Sequence, residues 1–288
     1  MIPKKHCVIT GATGGIGFAT AQMLARLGYS VTIVARNDMK GTNTVKMLQQ
    51  QSENPDIDFV VANLASQNDI REAASTILQI HPVIDVLINN AGAWYSQFGL
   101  TEDGVERMFA VNHLSYFLLT HCLIKGLAKS PASRVINVSS YSHFNGKIYW
   151  DDLNLTKSYD GLKAYAQSKL ANVFFTYEFV RRNPGLNIAI NALHPGLVKT
   201  DIGIKHTYFF HSLAWRLRRL GGVSPEKGAA TSIYLATSPD VEGMTGKYWD
   251  KRKPKRSSPT SYNTSDAARL WSICKKLCAI EDYYSYNS

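Results

Sequence analysis

The stretch CVITGATGGIG at residues 7–17 decides the fold class, because an apolar run leads directly into a glycine-rich turn. The run at residues 7–10 has the β-branched, apolar composition of a buried strand. Apolar side chains then recur at the spacing of a helix, at Ile16, Ala19, Met23, Leu24 and Leu27. A strand, a glycine turn and a helix in this order predict the opening unit of a nucleotide-binding α/β fold, although a structural turn without a ligand is the alternative.

Short apolar runs alternate with helical patterns along the rest of the chain, which is typical of a parallel sheet covered on both faces. The expected strands are residues 7–10, 31–35, 58–62, 86–89, 134–138, 187–193 and 246–249, and the clearest later helices are residues 101–125, 159–182 and 266–278. We therefore predict one doubly wound α/β domain of the Rossmann type over residues 1–288, with a mostly seven-stranded parallel sheet. Residues 205–222 are predicted to form a substrate lid, and residues 251–288 a C-terminal extension that begins with a loop.

The composition is that of a globular protein, with 45% hydrophobic residues in a chain of 288. Disordered, collagen-like and disulfide-scaffold classes are excluded on this basis. The net charge of +10 is compatible with nucleic acid, an anionic membrane or a phosphate-rich cofactor as partner. The basic run at residues 251–256 is better explained as a solvated loop, and no nucleic-acid motif accompanies it, so no nucleic-acid partner is expected.

The N-terminus and the cysteines predict a cytoplasmic or cytosol-facing protein. The first strand begins too early to leave room for a signal-peptide core, and no run of 18 apolar residues predicts a membrane span. The four cysteines match no zinc or redox spacing, so we expect reduced thiols and no metal site.

The glycine turn predicts where a dinucleotide would bind. Glycines let the backbone approach a pyrophosphate closely, and the free N–H groups of the following helix attract the phosphates. The residues expected there are Gly11, Thr13, Gly14, Gly15, Ile16 and Gly17. In place of the acid that would bind a free ribose 2′-hydroxyl, the second strand ends in Ala35 followed by Arg36, whose guanidinium can pair with a 2′-phosphate. This predicts NADP(H) as the cofactor, unless Arg36 merely solvates a loop.

Tyr165 and Lys169 are spaced four apart in a helical pattern, so both side chains project from one face. A phenol with an ordinary pKa near 10 is a poor acid–base catalyst at neutral pH, and a neighbouring ammonium favours the phenolate. A surface pair is the alternative for an isolated motif of this kind. Its position after the fifth strand, in a chain that opens with a glycine turn, favours catalysis.

Taken in order, four motifs resemble the short-chain dehydrogenase/reductase family over residues 5–249. They are TGATGGIG at 10–17, NNAG at 89–92, the serine pair at 139–140 and YAQSK at 165–169, and a Pro-Gly follows at 195–196. FAVNHL at 109–114, AYAQSKLAN at 164–172 and LHPG at 193–196 look like the retinol dehydrogenase branch, with WW-domain oxidoreductases and protochlorophyllide reductases as neighbouring branches.

The resemblance implies roles for residues of this chain. Tyr165 would be the general acid or base, Lys169 would hold the nicotinamide ribose, Ser140 would bind the substrate oxygen, and Asn112 would organise a water near Lys169. Asn89, Ala91, Gly92, Asn63 and Leu64 would line the adenosine side, and Pro195, Gly196, Val198 and Thr200 the nicotinamide side. Asn63 stands where the family commonly has an aspartate that accepts a bond from adenine, which an amide oxygen can still do. Asn112 and Ser140 could instead be ordinary structural residues, and His113 and His194 are expected to pack rather than catalyse.

Aromatic residues cluster where such a fold builds its substrate wall, which predicts a lipophilic carbonyl or alcohol substrate. The candidates are Trp94, Tyr95, Phe144, Tyr149, Trp150 and Tyr208. Half or more of them could instead pack in the core. The segment at residues 208–220 mixes aromatics with arginines, so it could be a plain lid or could also contact a membrane surface.

The sequence thus predicts an NADP(H)-dependent oxidoreductase that transfers hydride between nicotinamide and a carbonyl or alcohol carbon of a retinal-like aldehyde, a ketone or a steroid-like compound. A non-catalytic NADP(H)-binding regulator and a protochlorophyllide reductase-like enzyme are the alternatives. Homodimerisation through the C-terminal helix stays open.

Overall fold

In a computed structural model, residues 4–198 and 222–283 are described, and their strands form one sheet in the order β3-β2-β1-β4-β5-β6-β7-β8. The strands are β1 (His6–Thr10), β2 (Ser30–Ala35), β3 (Ile57–Val61), β4 (Val86–Asn89), β5 (Ser133–Val138), β6 (Ile188–His194), β7 (Lys247–Asp250) and β8 (Lys253–Lys255). Strands β1 to β7 are parallel, and β8 pairs antiparallel with β7. The predicted α/β class with a mostly parallel sheet is confirmed.

Helices follow most of the strands and cover the sheet with two apolar clusters, one on each face. They are α1 (Gly15–Arg26), α2 (Asp38–Ser52), α3 (Gln67–Ile80), α4 (Arg107–Phe109), α5 (Ser115–Lys129), α6 (Gly161–Arg182), α7 (Pro225–Thr237) and α8 (Thr264–Leu277). Side-chain caps start several of them; for example, Asn37 accepts a hydrogen bond from the Lys40 N–H at the start of α2. Helix α8, from the predicted C-terminal extension, packs its buried face on α6.

Two expectations about local structure were wrong. The segment that starts at residue 251 is not all loop, because β8 adds an eighth strand at the sheet edge. The helix expected at residues 101–125 begins at Arg107, and a π-helical turn, Ala110–Leu114, joins α4 to α5. The predicted lid at residues 205–222 lies outside the described residues except for its last position.

The order of the strands reverses between β1 and β4, since β1 lies between β2 and β4 and the chain then continues outward through β5. A crevice forms outside the carboxyl ends of strands at such a switch point, and ligands of doubly wound proteins bind there. Both the glycine turn after β1 and the segment after β4 lie at this crevice.

Candidate active site

A cleft of about 370 Å³ lies at the switch point. Most of the predicted cofactor residues line it, together with residues that the sequence motifs did not predict. The lining comprises Gly11, Thr13, Gly14, Gly15, Ile16, Gly17, Val34, Arg36, Ala62, Asn63, Leu64, Ala65, Asn90, Ala91, Gly92, Ala93, Trp94, Tyr95 and Val111. The cleft therefore joins the carboxyl ends of β1 to β4 to the aromatic segment after β4.

The glycine turn has no room for a side chain at Gly11 or Gly17. Gly11 has a φ of +68°, and a Cβ at this position would lie 2.7 Å from the Ala91 Cα. A Cβ on Gly17 would overlap the Gly11 carbonyl oxygen. Helix α1 then begins with no side-chain hydrogen bond capping its first turn, which leaves its N–H groups to the cleft. A dinucleotide pyrophosphate fits this cradle.

Of the residues expected on the adenosine side, Asn63, Leu64, Ala91 and Gly92 line the cleft, whereas Asn89 does not. Arg36 is exposed at its rim, and the Asn63 Oδ1 accepts a hydrogen bond from the Ala65 N–H at 3.2 Å. Asn89 instead points away from the cleft lining and is fully buried, where its amide donates to the Thr120 Oγ1 and the Asn137 Oδ1.

Asn90 is a polar residue at the cleft that the sequence motifs did not predict. Its Nδ2 donates to the carbonyl oxygens of Thr10 and Gly11 at 2.9 and 3.2 Å, and so ties the glycine turn to the end of β4. Successive side chains of a strand alternate between its two faces, and this alternation could have separated the two asparagines.

Lys169 is buried on α6 with 3% of its surface exposed, and its ammonium donates to the Val138 carbonyl oxygen at 2.9 Å. The same ammonium lies 5.7 Å from the ring centroids of Tyr165 and Tyr116. Burial lowers the pKa of Lys169 from 10.5 to about 7. The structure thus brings Tyr165, half-buried one helical turn earlier, together with a desolvated cation.

Asn112 lies in the π-helical turn and links the cleft to α6. Its Oδ1 accepts from the Ala93 N–H at 2.7 Å, and its Nδ2 donates to the Ala93 carbonyl and to the Ser168 Oγ. The Asn172 Nδ2 in turn donates to the Asn112 carbonyl oxygen at 2.9 Å. A π-helical turn often marks a functional site, because it redirects one side chain within a helix.

Ser140 follows β5 in extended backbone conformation and caps a 3-10 turn, Tyr141–Asn145. Its Oγ accepts from the Ser142 N–H at 3.2 Å and donates only weakly to the Ser142 Oγ at 3.3 Å. The hydroxyl proton can therefore turn to a substrate oxygen at little cost.

The segment after β6 runs back toward the glycine turn. A Cβ added to Gly228 on α7 would lie 2.6 Å from a Val198 methyl and 3.2 Å from the Ile16 Cγ1, so Val198 and the start of α1 share one environment. Pro195 and Gly196 precede it half-buried, and Gly196 has a φ of +86°. Thr200 lies outside the described residues.

The predicted aromatic wall divides into groups. Trp94 is buried in a cluster with Met108, Leu155 and Ala164, against which the rings of Tyr95, Tyr149 and Tyr165 pack. Trp150 packs against the larger core cluster on one face of the sheet, with the Arg269 guanidinium 4.4 Å from its ring centroid. Phe144 is 37% exposed, and Tyr208 lies outside the described residues. Trp94, Tyr95 and Tyr149 are thus the predicted pocket residues that share this cluster with Tyr165.

The glycine turn lies at the switch point of a doubly wound sheet, which is where dinucleotides bind in folds of the Rossmann type. A model of the family described as short chain dehydrogenase matches residues 5–207. The chain belongs to this family, which confirms the resemblance in the sequence, and it is an oxidoreductase of a group that binds nicotinamide cofactors.

The chain is similar over nearly its whole length to several relatives. It is 39% identical to Retinol dehydrogenase 14 of Mus musculus and 40% identical to Retinol dehydrogenase 13 of Homo sapiens, covering 96% and 97% of this chain and 86% of each relative. Polyprenol dehydrogenase of Homo sapiens is 37% identical, over 97% of this chain and 87% of the relative.

Among solved structures, a protein of Mycobacterium paratuberculosis matches with a TM-score of 0.76 and 29% identity, over 96% of this chain and 93% of that chain. A short chain dehydrogenase of Shigella flexneri complexed with NADP has a TM-score of 0.68 at 20% identity, over 86% and 97%, which shows a common fold. Within residues 4–198 and 222–283, none of the helices has the length and apolar character needed to cross a membrane.

Proposed function

We propose that this protein is an NADP(H)-dependent oxidoreductase that interconverts a lipophilic alcohol and its carbonyl compound, with Tyr165 as general acid or base. The observation that carries the proposal is the buried Lys169 ammonium, 5.7 Å from the centroid of the Tyr165 ring and next to the Asn112 turn that borders the cleft. A protein that only sensed nucleotide would have no need to desolvate a lysine beside a tyrosine.

Three side chains of this site divide the work on the substrate. When bound, the nicotinamide supplies or accepts the hydride. In carbonyl reduction the Tyr165 hydroxyl gives its proton to the substrate oxygen, and the Ser140 Oγ–H donates a hydrogen bond to the same oxygen. The Lys169 ammonium stabilises the phenolate left on Tyr165, and in alcohol oxidation that phenolate takes the proton back.

The residues around the cleft support the phosphorylated cofactor. Gly11, Gly17 and the open first turn of α1 would hold the pyrophosphate. Arg36 lies at the rim directly after Ala35, where an acid would repel a 2′-phosphate and a guanidinium attracts it. These observations favour NADP(H) over NAD(H).

Apolar lining supports a lipophilic substrate. Trp94 is buried in the apolar cluster against which the rings of Tyr95, Tyr149 and Tyr165 pack, which suits an apolar substrate. The relatives are named for retinol and polyprenol, which are both long, apolar alcohols. A retinal-like or other long-chain aldehyde is therefore the substrate class that we favour.

The proposal is tested by following NADPH absorbance with all-trans-retinal, decanal and a steroid ketone, in parallel with NADH. We expect turnover of at least one aldehyde, and a value of kcat/KM that is higher with NADPH. Binding of NADPH without turnover of any compound would support the non-catalytic alternative instead.

A further inference from the structure

His143 is a fully buried histidine next to Ser140, and both of its ring nitrogens are bonded to backbone. Its Nδ1 lies 2.6 Å from the Ser140 carbonyl oxygen, and its Nε2 lies 3.0 Å from the Ser258 backbone nitrogen. A carbonyl oxygen can only accept and a backbone N–H can only donate. The ring therefore carries its proton on Nδ1 and a lone pair on Nε2.

His194, the last residue of β6, holds the other side of the same peptide unit. Its Nδ1 accepts from the Tyr141 N–H at 3.1 Å, so its proton is on Nε2. The Ser140 carbonyl and the Tyr141 N–H belong to the one rigid peptide plane that joins these two residues. Both polar atoms of this plane are thus bonded to imidazole rings, one that donates and one that accepts.

We call the pair His143 and His194 the peptide clamp. The residues around His143 connect this clamp to α6, the helix that carries Tyr165. The His143 ring makes tilted contacts with the rings of Phe144 and Tyr248, whose centroids lie 4.3 and 4.7 Å away. The end of the 3-10 turn packs closely against α6 at Gly146, where an added Cβ would lie 2.7 Å from the Ala166 carbonyl oxygen. The turn is therefore seated against the segment of α6 between Tyr165 and Lys169.

A short segment after β8, residues 257–261, ties the outer side of His143 to the same helix. Ser258 donates to the ring as described, and the neighbouring Ser257 Oγ is 2.7 Å from the Tyr177 hydroxyl on α6. Burial lowers the pKa of His143 to about 4, so the ring is neutral near pH 7, as its two hydrogen bonds require.

We propose that His143 and His194 are positioning residues that fix the orientation of the Ser140–Tyr141 peptide, and through it the direction of the Ser140 hydroxyl toward the substrate oxygen. This inference rests on the proposed function, since it assigns the clamp to the serine that binds that oxygen. Neither histidine is expected to exchange a proton with the substrate.

Variants with asparagine or glutamine in place of histidine test the two hydrogen bonds of each ring separately. The amide atoms of asparagine are as many bonds from Cβ as Nδ1 is, and those of glutamine as many as Nε2 is. His143→Asn therefore keeps the donor to the Ser140 carbonyl and loses the Ser258 bond, whereas His143→Gln does the reverse. Both variants lose one buried hydrogen bond, so both should melt at a lower temperature than the wild type.

We expect the rate of the chemical step to depend on whether the Nδ1 hydrogen bond is kept, and not on how far the melting temperature falls. With decanal and NADPH we expect His143→Asn to keep kcat within about threefold of the wild type, and His143→Gln to lose about tenfold or more, with an unchanged NADPH Kd in both. His121→Gln is the matched control: the His121 Nδ1 is likewise bonded to a backbone carbonyl, that of Tyr283 at 2.9 Å, but on α5 away from Ser140. It should keep the wild-type kcat.

Wild-type kcat in folded His143→Gln, or an equal loss in both variants, would overturn the proposal. If His143→Gln does not fold, the pair His194→Asn and His194→Gln gives the same test, because only asparagine retains an acceptor at the Nδ1 position. Nitrogen-15 NMR of the rings needs no turnover. Protonated Nδ1 at His143 and protonated Nε2 at His194 support the clamp, and any other pair of tautomers contradicts it. Correct tautomers in a wild type that turns over no aldehyde would contradict the proposed function alone.

Discussion

The Lys169 ammonium lies 5.7 Å from the centroid of the Tyr165 ring while it donates to the Val138 carbonyl oxygen at 2.9 Å. The bond fixes the lysine to the end of β5, next to Ser139 and Ser140, and one helical turn of α6 separates it from the tyrosine. Sheet and helix thus hold the three groups of the proposed chemistry in one fixed arrangement.

Removal of the buried charge should change how stability depends on pH. The pKa of Lys169 is lowered from 10.5 to about 7 on folding, so between these values the unfolded chain binds more protons and the folded form gains stability as pH rises. Lys169→Met lacks this gain. Urea unfolding without nucleotide should show the stability of the wild type rising relative to the variant between pH 7 and pH 9.

All other titratable groups are the same in the two proteins, so their contributions to the pH dependence of stability cancel in this comparison. A constant difference between wild type and Lys169→Met across this range would mean that Lys169 is not desolvated in the folded protein.

Arg36→Ala should weaken NADPH binding by about tenfold to a hundredfold, because a charge-assisted bidentate contact to the 2′-phosphate is lost, and should leave NADH binding unchanged. Fluorescence titration of both nucleotides measures this. Arg26→Ala is the control, since Arg26 is exposed on α1 and bonds to the Gln51 carbonyl. Equal NADPH affinity in wild type and Arg36→Ala would remove the 2′-phosphate assignment.

Gly17→Ala should abolish detectable NADPH binding, since the added methyl overlaps the Gly11 carbonyl oxygen and the turn must open. Gly185→Ala introduces the same methyl where no atom lies within 4 Å, and it should bind NADPH normally. Isothermal titration of both variants checks this. Undiminished affinity in Gly17→Ala would show that the cradle is not the pyrophosphate site.

The sheet was predictable from the sequence except at its edge. Parallel strands buried on both faces read as apolar runs, and β1, β2, β4, β5 and β6 show this pattern. Strand β8 reads Lys-Pro-Lys and looks like a loop, because an exposed edge strand uses charge and proline to block further pairing. The π-helical turn was also invisible, because one inserted residue barely changes helical periodicity.

At the site, the motifs predicted what depends on local sequence and missed what depends on packing. The glycine turn and the Tyr165–Lys169 spacing carry their own geometry. Asn90 takes its role from the distant backbone of Thr10, and His194 takes its role from the distant Tyr141 N–H, contacts that no local pattern predicts. The predicted roles of Thr200 and Tyr208 lie outside the described residues and remain predictions.

The central claim is that Tyr165 exchanges the proton in NADPH-dependent carbonyl reduction, and the decisive measurement is the single-turnover rate of Tyr165→Phe with saturating NADPH and decanal. We expect a rate lower than wild type by about a thousandfold or more with an unchanged NADPH Kd, because only the acid is removed. Tyr234→Phe, which alters a tyrosine packed on Trp249 at α7, should react at the wild-type rate. A Tyr165→Phe rate within about tenfold of wild type would contradict the account.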